Sequence, residues 1–170
     1  MTEASALDRL AEAEVFQFAD WPNKHVPLVC AGVYAIWDDD GTRFLYVGMS
    51  GRGKTSEDIL KRRAGSNGKR FGLSHRLSAH ASGRRSGDQF CVYVCDRLVI
   101  PKLTTAQLRR VADGQLKLDD ETKKYIRNRL SYRFVETKSG DEALRCESKI
   151  KNGELDTFGL PFLNPGKSPT

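Results

Sequence analysis

GVYAIWDDDGTRFLYVG, Gly32 to Gly48, holds two short apolar runs around a polar tip. Val33, Tyr34, Ile36 and Trp37 precede the tip, and Phe44, Tyr46 and Val47 follow it. These are the β-branched and aromatic types that suit a pleated, half-buried surface. Asp40-Gly41 is a strong turn signal, and Asp38–Asp40 read as a solvated hairpin tip. A connection this short joins only antiparallel neighbours, because a parallel pair needs a crossover of about a dozen residues. The first strand begins upstream, as LVCAGVYAIW from Leu28 to Trp37. Side chains alternate between the faces of a strand, so in the right register Tyr34 and Tyr46 share one face.

The second strand runs into GMSGRGKT, Gly48–Thr55, which satisfies the phosphate-loop pattern G-x-x-x-x-G-K-[ST]. A nucleotide hydrolase is therefore an alternative reading, with Asp96 after CVYVC as a magnesium-holding carboxylate. That fold requires a buried parallel sheet. Here the preceding strand is antiparallel to its neighbour, and the following segment TSEDILKRRAGSNG offers only Ile59 and Leu60 to a core.

Working outward, the pattern predicts a helix over about Ala4–Glu14 and a turn at Trp21-Pro22. A second helix follows Thr55 or Ser56 as cap and stops at Gly65. GLSHRLSAHASG reads as a helix with Leu73 and Leu77 on one face, and DQFCVYVCDRLVI as the third and most apolar strand. Helices are also expected after Thr104 up to Gly114, early in LDDETKKYIRNRL, and over Asp141–Lys151. An extra strand is expected near Tyr132–Thr137. Together these predict a small α/β domain with a three-stranded antiparallel core sheet flanked by helices. The expected organisation is an N-terminal helical extension (1–24), a domain (25–166) with a basic insertion at about 50–72, and a disordered tail (167–170).

The 170 residues suit one domain, with 39% hydrophobic and 29% charged residues. No apolar run approaches the ~20 residues of a membrane span, and the acidic N-terminus has no signal core, so a cytoplasmic protein without membrane contact is expected. Cys30, Cys91, Cys95 and Cys146 form no C-x-x-C pair and read as buried free thiols. The net charge is +6, yet Ser50–Arg85 alone carries ten bases against Glu57 and Asp58. Such a block attracts polyanions through counterion release. The candidate phosphate contacts are Arg52, Lys54, Lys61, Arg62 and Arg63, followed by Lys69, Arg70, Arg84 and Arg85.

Gly32-Val33-Tyr34 and Tyr46-Val47-Gly48 on hairpin-joined strands are followed by Arg76 with His80 four residues on, then Glu147 and Asn164. This ordered set, across about Ala31–Pro165, resembles the GIY-YIG nuclease family, with Val in place of Ile at both signature centres. The resemblance implies a metal-dependent endonuclease acting on DNA, with Mg²⁺ or Mn²⁺ as cofactor. It implies that Tyr34 takes the proton of the attacking water and that Tyr46 positions water or phosphate. Arg76 would hold phosphate oxygens, and His80 would receive or orient the Tyr34 proton. Glu147 would be the metal ligand, one metal-bound water would protonate the leaving 3′ oxygen, and Asn164 would hold the phosphate or the site's geometry. A neighbouring Arg and a metal are expected to lower the Tyr34 pKa. One departure stands out: 30 residues separate Tyr46 from Arg76, far more than the family's usual link, and the excess contains the basic insertion. A non-catalytic nucleic-acid-binding module is the other alternative. Cutting both strands of DNA would call for a homodimer, since one such site cuts one strand at a time.

Overall fold

The computed structural model describes residues 5–38 and 40–166; the expected tail at 167–170 and the start of the expected first helix at Ala4 lie outside them. The sheet is built on the opening hairpin. Strand β2 (Val29–Asp38) pairs antiparallel with β3 (Phe44–Ser50) on one side and with β5 (Leu130–Thr137) on the other. Strand β1 (Phe16–Gln17) extends the sheet beyond β5, and β4 (Phe71–Gly72) adds a two-residue parallel pair to β2. The central strand β2 is buried on both faces, which is why its sequence is apolar almost without a break.

Each face of β2 supplies one core. Cys30, Tyr34 and Ile36 join the larger, with α3 (Leu73–Ser82), α4 (Gln89–Val94) and α6 (Leu118–Arg129). Val33, Ala35 and Trp37 join the other, with α1 (Ala6–Ala11) and α7 (Gly140–Lys151). α2 (Ser56–Ala64) follows β3 with a Thr55–Asp58 capping box and Gly65 at its end. α5 (Thr105–Ala112) starts from a similar Thr104–Gln107 box.

Two expectations change, and a third gains detail. DQFCVYVCDRLVI is not a strand: it forms α4, a widened helical turn over Cys95–Val99 and a tight turn at Ile100–Lys102. Asp88 caps it by accepting from the Phe90 N–H at 3.0 Å. Phe90, Cys91, Val94, Cys95, Leu98 and Val99 are buried, a stripe of helical period that β-branched and aromatic enrichment obscures. The third core strand is instead β5, which covers the segment expected as an extra strand. The N-terminal segment is no appendage, since Ala6 and Leu10 enter one core and Phe18 and Trp21 the other.

The stretch that matches the phosphate loop sits beside an antiparallel strand pair. Two of its glycines, Gly48 and Gly51, serve packing. Gly51 has φ +86° and lies where a Cβ would come within 2.6 Å of the Ala31 Cβ. The loop is tied to the start of α7 by the Gly140 N–H, which donates to the Lys54 carbonyl at 2.9 Å.

Candidate active site

The hairpin register puts Tyr34 opposite Gly48 and Ile36 opposite Tyr46. Tyr34 and Tyr46 therefore lie on the same face, with ring centroids 6.4 Å apart and nearly parallel. The two signature glycines have separate steric reasons. A Cβ at Gly48 would overlap the Tyr34 phenol, and one at Gly32 would overlap the Val135 carbonyl and the Leu73 side chain. Glycine at 48 thus makes the space in which the Tyr34 hydroxyl sits, and glycine at 32 lets β5 and α3 close on β2.

α3 buries Leu73 and Leu77 and carries Arg76 and His80 one turn apart. Tyr34 Oη lies 2.7 Å from His80 Nε2, and His80 Nδ1 lies 2.7 Å from Asp88 Oδ2. The Asp88 carboxylate also accepts from the Phe90 N–H, so the cap of α4 fixes its orientation. Asp88 is held below the usual carboxylate pKa: burial alone would raise it, but hydrogen bonds and charge from His80 and the backbone N–H groups of Phe90 and Cys91 outweigh that. An ionised carboxylate can only accept, so the proton on His80 belongs on Nδ1. Nε2 is then an acceptor, and the Tyr34 hydroxyl donates to it. All three residues are at most 7% exposed.

The expectation of a lowered Tyr34 pKa meets an opposing effect. Burial pushes the phenol well above its ordinary value, Tyr46 adds to this, and Arg76 opposes it without prevailing. The Tyr46 hydroxyl is also raised by burial, with Glu147 adding to the shift. Tyr34 is a neutral phenol whose proton has a built exit to His80, not a standing phenolate.

The two tyrosines, Arg76, His80 and Glu147 border a cleft of about 330 Å³. Arg52, Asp88, Phe90 and Lys151 are also among its lining residues. Sequence reasoning missed Asp88 and Lys151. The signal for Asp88 was its place before an apolar run, as a helix cap, which the strand assignment hid. Lys151 lies one turn beyond Glu147, and its Nζ is 3.0 Å from Glu147 Oε1. Asn164 does not line the cleft. Its amide nitrogen donates to the Val47 carbonyl at 2.6 Å and its oxygen accepts from the Val47 N–H at 3.2 Å. It clamps β3 between Tyr46 and Gly48.

Among the described residues no group of three or more His, Cys, Asp or Glu side chains could cage a metal. The cleft carboxylate not bound to a histidine is Glu147, whose side chain is only 12% exposed and whose Oε1 pairs with Lys151 Nζ. That donor set fits magnesium, which binds through one or two carboxylates and keeps several waters.

Of the nine candidate phosphate contacts, two pair with carboxylates on other elements of the fold. Arg63 donates to the Val29 carbonyl at 3.1 Å and pairs with Glu136 at 2.5 Å. Arg85 pairs with Asp119 at 2.7 Å. Arg52 reaches the cleft, and Lys54, Lys61, Arg62, Lys69 and Arg70 line a separate groove beside it. Arg84 lines a third groove, together with Arg70 and Asp88. The four cysteines are buried and free, as expected. No helix among the described residues is long and apolar enough to cross a membrane. No family model, curated protein or solved structure matches this chain.

Proposed function

We propose that this protein is a metal-dependent endonuclease of the GIY-YIG type that hydrolyses DNA phosphodiester bonds. The observation that carries the reading is the meeting of Tyr34, Tyr46, Arg76, His80 and Glu147 in one cleft, from two strands and two helices far apart in the chain. Packing aromatics or solvated charges have no reason to converge in this way.

The chemistry follows from the hydrogen-bond chain. A water beside Tyr34 Oη gives its proton to that oxygen as the phenol proton moves to His80 Nε2. Asp88 stabilises the resulting imidazolium and holds the imidazole in the accepting tautomer, as a carboxylate does for the histidine of a serine hydrolase. This concerted path avoids forming a buried phenolate, which the raised Tyr34 pKa disfavours. Arg76 and Arg52 offer guanidinium groups to the phosphoryl oxygens. Magnesium held by Glu147, when bound, supplies further positive charge against the phosphoryl group. Asn164 keeps the Tyr46–Gly48 segment in register.

The test is incubation with supercoiled plasmid, with magnesium or with chelator. Nicking that needs magnesium and falls by about 10²–10⁴-fold in Tyr34→Phe is expected, the range for loss of a proton-transfer group. Glu147→Ala should likewise abolish it. A second reading, a nucleic-acid-binding module without turnover, is favoured by one observation: Lys151 pairs with one oxygen, Oε1, of the carboxylate that a metal would need. Salt-sensitive DNA binding with no magnesium-dependent nicking selects that reading.

A further inference from the structure

The basic insertion reaches the cleft through Arg52. Two further grooves are linked to the cleft through shared lining residues. One, of about 340 Å³, lies over α3 and is lined by Arg70, His75, Ser78, Ser82 and Arg84, with Asp88 at its inner end. The other, of about 520 Å³, lies between α2 and β4 and carries Lys54, Lys61, Arg62, Lys69 and Arg70. Asp88 borders both the cleft and the first groove, and Arg70 borders both grooves. The loop after β3 joins the same regions from the other side, since Arg52 lines the cleft and Lys54 the outer groove.

The charges along this path are largely unneutralised. The outer groove has five cations and one acid, Asp58, whose carboxylate is bound to the Thr55 N–H in the cap of α2. Lys61 pairs with Glu57 in an ion pair more than 70% exposed on both sides, which screens it little. Among the described residues no ion pair joins Lys69, Arg70 or Arg62 to a carboxylate. Two of these are nonetheless held in place: Arg70 donates to Ser78 Oγ at 2.8 Å, and Arg62 lies over the Phe71 ring at 4.5 Å. Fixed, exposed and crowded like charges cost stability and suit a polyanion that threads past them.

We propose that the insertion at about 50–72 forms a backbone-binding groove for duplex DNA, continuous with the cleft, which holds phosphates flanking the one to be cut. This rests on the nuclease reading of the cleft. A duplex is favoured over a single strand because single-strand grooves pair positive charge with aromatic platforms for bases. Phe71 is the aromatic residue of the outer groove and Arg62 covers it, while the groove over α3 has no Phe, Tyr or Trp in its lining.

The experiment measures binding of a labelled DNA duplex, and of one of its strands, by fluorescence anisotropy across a salt series without metal. Tyr34→Phe protein is used throughout so that nothing is cut. Lys69→Ala and Arg70→Ala, each added to that background, should weaken duplex binding about five-fold and lower the salt slope by about one. Arg109→Ala, on α5 and outside the grooves, is the control and should leave binding alone. These exposed side chains bear on no core contact and lie among like charges, so thermal melting should not fall. Duplex affinity insensitive to Lys69 and Arg70, or tighter binding of the single strand, overturns the proposal. The two readings fail separately: plasmid nicking without these binding effects removes the groove and leaves the nuclease. Groove-dependent duplex binding by a wild-type protein that never nicks leaves the groove and removes the nuclease.

Discussion

The inner wall of the cleft and its outer rim are built on opposite terms. The wall, Tyr34–His80–Asp88, is almost wholly buried, and each member has a fixed partner 2.7 Å away. The rim, from Arg52 to Arg70, is mostly exposed and holds cations that outnumber acids. A proton path needs one geometry and one tautomer, so it belongs where packing allows no other. A phosphate-binding surface needs charge without one geometry, because a nucleic acid backbone presents many equivalent oxygens. The comparison teaches that burial would track the precision each task requires under the proposed function.

The sharpest way to break this contrast is Asp88→Asn. The Asn oxygen can still cap α4 at Phe90, but its amide would donate to His80 Nδ1. The imidazole proton then moves to Nε2, which faces the Tyr34 hydroxyl as a donor. We expect nicking to fall by about a hundredfold or more with the fold retained, as for other reversed-tautomer variants. Histidine ¹⁵N shifts should report the tautomer change directly. An unchanged tautomer with unchanged rate removes Asp88 from the proton path.

A second test crowds the wall. Gly48→Ala drives a methyl group into the Tyr34 phenol, whose surroundings are close-packed. Overpacking of this kind costs about 1–3 kcal/mol, readable in urea denaturation, and the Tyr34–His80 hydrogen bond should be lost. A variant as stable as wild type would mean that Tyr34 has room it is not shown to have here.

Arg63→Ala sharpens the contrast from the other side. Arg63 belongs to the basic block by sequence, yet it binds the Val29 carbonyl and Glu136. Its removal should cost about 1 kcal/mol of stability, the usual net worth of such hydrogen bonds, and should disturb DNA binding less than Lys69→Ala. The opposite ranking would return Arg63 to the rim.

The smallest effect expected at ordinary pH concerns the buried thiols. Burial pushes Cys30 and Cys146 up to about 11. Their folded-state pKa is above that of the unfolded chain, so the stability they contribute is fully present below the ordinary thiol pKa. It is lost as pH rises from about 9 towards 11. Urea midpoints should be level through neutral pH and fall over that window; a flat profile to pH 11 would contradict the burial of these thiols.

Much of the site could be read in the one-dimensional pattern because its parts are local. Two tripeptides on a tight hairpin dictate that Tyr34 and Tyr46 share a face, and an Arg and a His four apart on a helix share another. Helix caps at Thr55 and Thr104, and the basic character of 50–72, are local as well. Asp88 escaped because the segment it caps has strand-like composition and a helical burial stripe, and only the partner surface decides between them. The roles of Gly32 and Gly48 escaped because steric room is a property of what packs against a backbone.

The order of residue types along the chain was therefore enough to nominate a hairpin-borne pair of phenols, a guanidinium, an imidazole and a carboxylate. Tertiary structure alone decided that they meet, that burial keeps Tyr34 protonated, and that Asp88 sets the histidine tautomer. It also separated the arginines that brace the fold from those that face solvent. The reason is physical: propensity, capping and alternation act over a few residues, whereas desolvation and steric fit arise only between segments the chain has folded together.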